Sequence, residues 1–187
     1  MIFFDRARET DTLKTIQQQS LEHAQFTVLT GRRRIGKTSL VLHAYKDMPF
    51  LYFFVSKKAE TALCEDYQQE IITKLGVPLL GKVSRFADIF EYIMQIAKQQ
   101  SITLFIDEFQ EFFNVNASIY SDIQNYWDQY RLKTHINFIV SGSIYSLMTK
   151  IFQHYHEPLF GRADVMLKLN PFALPVLKQI IADHYPT

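Results

Sequence analysis

Phe26-Thr27-Val28-Leu29-Thr30-Gly31-Arg32-Arg33-Arg34-Ile35-Gly36-Lys37-Thr38 decides the fold, because an apolar, β-branched run passes directly into a loop of two glycines, a lysine and a hydroxyl residue. Residues 26–30 read as a buried strand, and residues 38–46 as a helix whose N-terminus faces back over the loop. The glycines allow backbone N–H groups to turn inward as an anion cradle. Lys37 neutralises phosphate charge, and the Thr38 hydroxyl offers a hard oxygen to magnesium. Strand, glycine loop and helix in this order form a polyphosphate site.

Beyond this segment, short apolar runs rich in β-branched and aromatic residues predict strands at residues 50–56, 102–106, 138–141 and 165–169. A stretch of helical period precedes the first strand, at residues 11–24, and others separate the strands, at residues 60–75, 84–100, 118–130 and 143–152. Strands that are apolar on both faces and alternate with helices predict a mostly parallel sheet covered on each side, an α/β domain. Ligands of such sheets bind beyond the carboxyl ends of the strands, so the loops that follow the apolar runs are where chemistry is expected.

Three of those loops carry it, the glycine loop and two more. Ile102-Thr103-Leu104-Phe105-Ile106-Asp107-Glu108 is an apolar strand ending in paired carboxylates. Neighbouring residues at a strand end diverge, so Asp107 is expected to reach magnesium beside Thr38 while Glu108 faces a water poised to attack the γ phosphate. Gln110 stands two residues further on, either orienting water, donating to phosphate or exposed in the loop. Phe138-Ile139-Val140-Ser141-Gly142-Ser143 ends in two hydroxyls that suit the γ phosphate or the lytic water, and Ser143 equally suits a helix cap. Pro158-Leu159-Phe160-Gly161-Arg162 precedes the fifth strand, and Arg162 is either a finger on the γ phosphate or a surface arginine. Arg32, Arg33 and Arg34 either steer polyphosphate or stand in solvent.

The chain has 187 residues, 48% of them hydrophobic, which supports one globular core. Its net charge is only +1, so no global field draws it onto nucleic acid or an anionic membrane. The single cysteine excludes an internal disulfide and fits a reducing cytoplasm. The apolar start, Met1-Ile2-Phe3-Phe4, is too short for a signal peptide or a membrane span, and no membrane partner is expected.

The order of glycine loop, Asp107-Glu108, serine-tipped strand and Gly161-Arg162 resembles the ASCE division of P-loop NTPases, near the AAA+ and STAND groups. Phe4-Asp5-Arg6 with Glu9 and Leu13, residues 31–38, Asp107-Glu108-Phe109-Gln110, Ser141-Gly142-Ser143 and residues 158–162 together resemble the archaeal-type ATPase family. That resemblance implies a three-layer core with a five-stranded sheet of order 5-1-4-3-2, Walker A and Walker B motifs at strands one and three, and ATP with Mg2+ as ligands. It implies nucleotide contacts from Gly31, Arg32, Arg33, Arg34, Ile35, Gly36, Lys37, Thr38 and Ser39, with Phe4 and Arg6 flanking the adenine. Thr38 and Asp107 would serve the metal. Lys37, Glu108, Ser141, Ser143 and Arg162 would serve catalysis of ATP hydrolysis, Ser141 and Ser143 at a sensor 1 position and Arg162 in trans within a homo-oligomer. Family members continue into a helical lid and often a winged-helix domain. Residues 1–187 are therefore expected to be the ATPase core, with residues 174–187 as a first lid helix; the alternatives are a nucleotide-gated switch or binding module with little turnover, or an ATPase acting on nucleic acid, and a protein or nucleic-acid client stays open.

Overall fold

The computed structural model describes residues 6–48, 50–77 and 81–184. In chain order the helices are α1 (Ala7–Ser20), α2 (Lys37–Ala44), α3 (Glu60–Leu75), α4 (Phe86–Ile96), α5 (Phe112–Asn116), α6 (Ile119–Tyr130), α7 (Tyr145–Gln153) and α8 (Leu174–His184). The strands are β1 (Gln25–Thr30), β2 (Leu51–Phe54), β3 (Ile102–Asp107), β4 (Ile136–Gly142) and β5 (Val165–Lys168). They form one five-stranded sheet of order β2-β3-β4-β1-β5, the expected order, and every pairing is parallel.

Strand alternation sorts the core into two layers. Phe26 and Val28 of β1, Leu104 and Ile106 of β3 and Phe138 and Val140 of β4 face the side covered by α3, α4 and α6. Leu29, Phe105 and Ile139 face the other side, against Leu13 of α1 and Leu40 and Val41 of α2. The three central strands are buried at every position, whereas β5 alternates between half-buried and exposed as an edge strand does. Phe26 lies 4.4 Å from Phe138 and 5.2 Å from Trp127, ring centroid to centroid. Such pairs contribute about 0.5–1.5 kcal/mol each beyond area burial and anchor the strands whose opposite ends carry the site.

The main departures from the predicted boundaries have local causes. α4 stops at Ile96 and not near residue 100, because the Ala97 carbonyl accepts from His135 N (2.8 Å) at the entry to β4. α7 starts at Tyr145 and not at Ser143, since Ile144 is extended. The chain after β3 winds at once into a 3-10 turn, Phe109–Glu111, and then α5, buried through Phe109 and Phe112. These pieces are too short to show a helical period in sequence. No helix among the described residues is long and apolar enough to cross a membrane.

Candidate functional site

The phosphate loop follows β1. Gly36 sits at φ 94° directly before α2 and supplies the left-handed turn that aims the first N–H groups of that helix into the loop. Arg34 also adopts a positive φ, 60°. Lys37, the first helical residue, is buried, and its Nζ curls back over the loop to donate to the carbonyls of Gly31 and Arg32, each at 3.1 Å. Burial holds the lysine below its ordinary pKa, and the carboxylates of Glu108 and Asp107 oppose that shift. Arg32, Arg33 and Arg34 are exposed, as is Ser39, while Ile35, Gly36 and Thr38 are half-buried.

β4 lies between β1 and β3 in the sheet, so three strand tips meet beside the loop. Asp107 ends β3 on the same face as Phe105, which turns its carboxylate toward α2. Thr38 Oγ1 donates to Asp107 Oδ2 at 2.6 Å, and Ser141 Oγ donates to Asp107 Oδ1 in a short hydrogen bond. Tyr52 OH, from neighbouring β2, reaches Asp107 Oδ2 at 3.4 Å. Its phenol is pushed up to about 12, by burial first and by the Asp107 charge second. Glu108 leaves the strand with φ 54°, an uncommon conformation for a non-glycine residue, and is half-buried. Its Oε2 accepts from Gln110 Nε2 at 2.5 Å and from Ser143 Oγ at 2.8 Å.

Asp107 and Glu108 thus diverge. Asp107 meets Thr38 of the phosphate-loop helix and Ser141 of β4, and Glu108 meets Ser143 just beyond the tip of β4. A threonine hydroxyl and a carboxylate 2.6 Å apart are hard oxygen donors, the type Mg2+ takes alongside phosphate oxygens and waters. Ser143 is no helix cap: Ile144 precedes α7, no side chain caps it, and the Ser143 hydroxyl is spent on Glu108.

Arg162 stands away from this cluster. Asp164 N donates to the Phe26 carbonyl at the start of β1, so Arg162 lies at the amino edge of the sheet, opposite the phosphate loop. There it pairs with Asp128 at 3.0 Å. Arg162 therefore does not reach a phosphate in its own chain. Arg6 is buried, donates to the Asn170 carbonyl at 2.7 Å, pairs with Glu9 at 3.1 Å and lies 4.3 Å from the Phe172 ring centre. It ties the start of α1 to the segment after β5. Phe4, its expected companion, lies outside the described residues. Tyr52 was not legible in sequence as a site residue, because its place depends on β2 pairing with β3. Gln110 was legible as a neighbour of the acidic pair, yet its near-complete burial was not.

Residues 3–185 match the family described as an ATPase domain predominantly from Archaea. The chain belongs to that family. It is accordingly a P-loop ATPase domain with the nucleotide-binding fold of its group. Among curated proteins it is 26% identical, over 178 residues, to an uncharacterized protein of Methanocaldococcus jannaschii, covering 95% of this chain and 38% of that protein. Among solved structures the chain is similar in fold to a Walker-type ATPase of Pyrococcus abyssi, with TM-score 0.71, 19% identity and coverage of 97% of this chain and 59% of that one. It is similar also to the Orc2 protein of Aeropyrum pernix in its ADPNP-ADP complexes, with TM-score 0.71, 14% identity and coverage of 97% and 52%. The Orc1 protein of the same organism, solved with DNA, gives TM-score 0.64, 11% identity and coverage of 97% and 49%. The chain spans about half or less of the length of most of these proteins.

Proposed function

We propose that this domain binds ATP with Mg2+ and hydrolyses it to ADP and phosphate. The observation that carries the reading is the direct contact of Thr38 with Asp107 at 2.6 Å, with Glu108 as the next residue, because it joins the phosphate loop to a paired acidic strand end. The loop N–H groups and Lys37 hold the β and γ phosphates. Thr38 and Asp107 hold Mg2+, which when bound neutralises charge on the phosphate oxygens. Glu108 takes a proton from water as the water oxygen bonds to the γ phosphorus. The bond from that phosphorus to the bridging oxygen breaks, and ADP leaves with the electron pair.

Any contact of Arg162 with a γ phosphate is assigned to a neighbouring copy of the chain, since in its own chain the residue sits at the far edge of the sheet, paired with Asp128. The compartment proposed is the reducing cytoplasm, on the strength of the single, buried cysteine Cys64. The test is phosphate release under single-turnover conditions for the native protein and for Glu108→Gln. The variant is expected to bind ATP as before and to lose about 10²-fold or more in rate, the scale of a general base. Unchanged turnover would remove Glu108 from the chemistry. Loss of ATP affinity on chelating Mg2+ checks the metal.

A further inference from the structure

Gln110 is a buried polar residue whose side chain hydrogen-bonds to neither the phosphate loop nor Asp107. Its side chain is 1% exposed, Nε2 donates to Glu108 Oε2 at 2.5 Å, and Oε1 has no hydrogen-bond partner. An orphaned buried acceptor destabilises a fold, so a glutamine held this way calls for a reason outside stability. Reversing the amide gives no relief, because it would place Oε1 against the carboxylate, acceptor on acceptor. The side chain is also boxed in. A Cβ built on Gly142 would come within 2.5 Å of Gln110 Oε1, so the glycine backbone closes one side. Tyr120 OH donates to the Gln110 carbonyl at 3.2 Å and fixes the main chain of the turn.

We infer that Gln110 is a positioning residue for hydrolysis, clamping Glu108 Oε2 together with Ser143 so that Oε1 alone is presented to the attacking water. The inference rests on the assignment of Glu108 as base. Two donors from different elements, one on the turn after β3 and one at the tip of β4, fix the carboxylate torsion that a single donor would leave free. Both donors are neutral, so they orient the group without supplying a competing cation. The positive φ of Glu108 turns the residue toward this pair and away from Asp107, which keeps the metal-side and water-side carboxylates separate.

The experiment is a double-mutant cycle with Gln110→Met and Glu108→Gln, read as single-turnover phosphate release, ATP dissociation constant and melting temperature. Methionine preserves length and burial and removes the donor. The expected result for Gln110→Met alone is a roughly tenfold slower chemical step, corresponding to the loss of one hydrogen bond to a charged group. ATP affinity is expected to stay within about twofold, the range of an untouched binding site, and the melting temperature not to fall, because the orphaned acceptor is gone. In the Glu108→Gln background the same substitution should change the residual rate little. An equal loss in both backgrounds, or no loss in the native one, overturns the clamp. Full activity of Glu108→Gln alone instead overturns the assignment of the base, so the two failures are distinct. Should Gln110→Met not fold, Ser143→Ala at its half-buried site removes the other donor, and the same pattern of losses decides the matter.

Discussion

Replacing Arg6 by alanine separates a structural tie from a nucleotide contact. The guanidinium makes a part-buried hydrogen bond to the Asn170 carbonyl at 2.7 Å, and a bond to a charged group contributes about 1.5–3 kcal/mol net. Its stacking on Phe172 at 4.3 Å adds roughly 0.5–1 kcal/mol. The pair with Glu9, whose side chain is 31% exposed, adds no more than about 0.5 kcal/mol after screening. The expected loss for Arg6→Ala without nucleotide is therefore about 2–4 kcal/mol. With a urea slope of about 2 kcal/mol/M, that lowers the unfolding midpoint by roughly 1–2 M. The one tryptophan, Trp127, is buried in the core and supplies a fluorescence signal for the transition. ATP affinity of the folded variant should change by less than the stability does. A stability loss below about 0.5 kcal/mol, the ordinary scale of a surface change, together with a collapse of ATP affinity would refute the tie and make Arg6 a ligand contact.

Lys37→Met should abolish ATP binding, checked by titration with a fluorescent nucleotide, yet raise the stability of the nucleotide-free domain at neutral pH. The sign follows from the lowered pKa of Lys37: the folded state binds its proton less tightly than the unfolded chain does, so the charged lysine costs stability below the folded pKa. That cost fades as pH rises from the folded pKa toward the ordinary value of 10.5, so the advantage of the variant should narrow over the same window in urea melts. A variant less stable than the native domain at pH 7 would contradict this. For Arg162, ATPase rate should rise faster than linearly with protein concentration, and Arg162→Ala should remove that excess. A strictly linear dependence in the native protein would reject a finger supplied in trans.

Sequence alone determined a large part of this domain. Residues 26–38 fixed a strand, a phosphate loop and a helix because each signal is local: apolar runs, glycines that permit left-handed backbone, and a lysine and threonine at set spacing. Strand and helix alternation fixed the α/β class for the same reason. The family resemblance then supplied the strand order, which the pairing of β1 with both β4 and β5 bears out. Tertiary structure decided which tips meet. Only the insertion of β4 between β1 and β3 sets Ser141 on Asp107 and Ser143 on Glu108, and only the β2–β3 pairing brings Tyr52 to the same carboxylate. It also sent Arg162 to the far edge and turned Arg6 inward, two outcomes that no spacing along the chain encodes. Contacts between residues tens of positions apart depend on sheet order, register and burial, and a linear pattern records none of these directly.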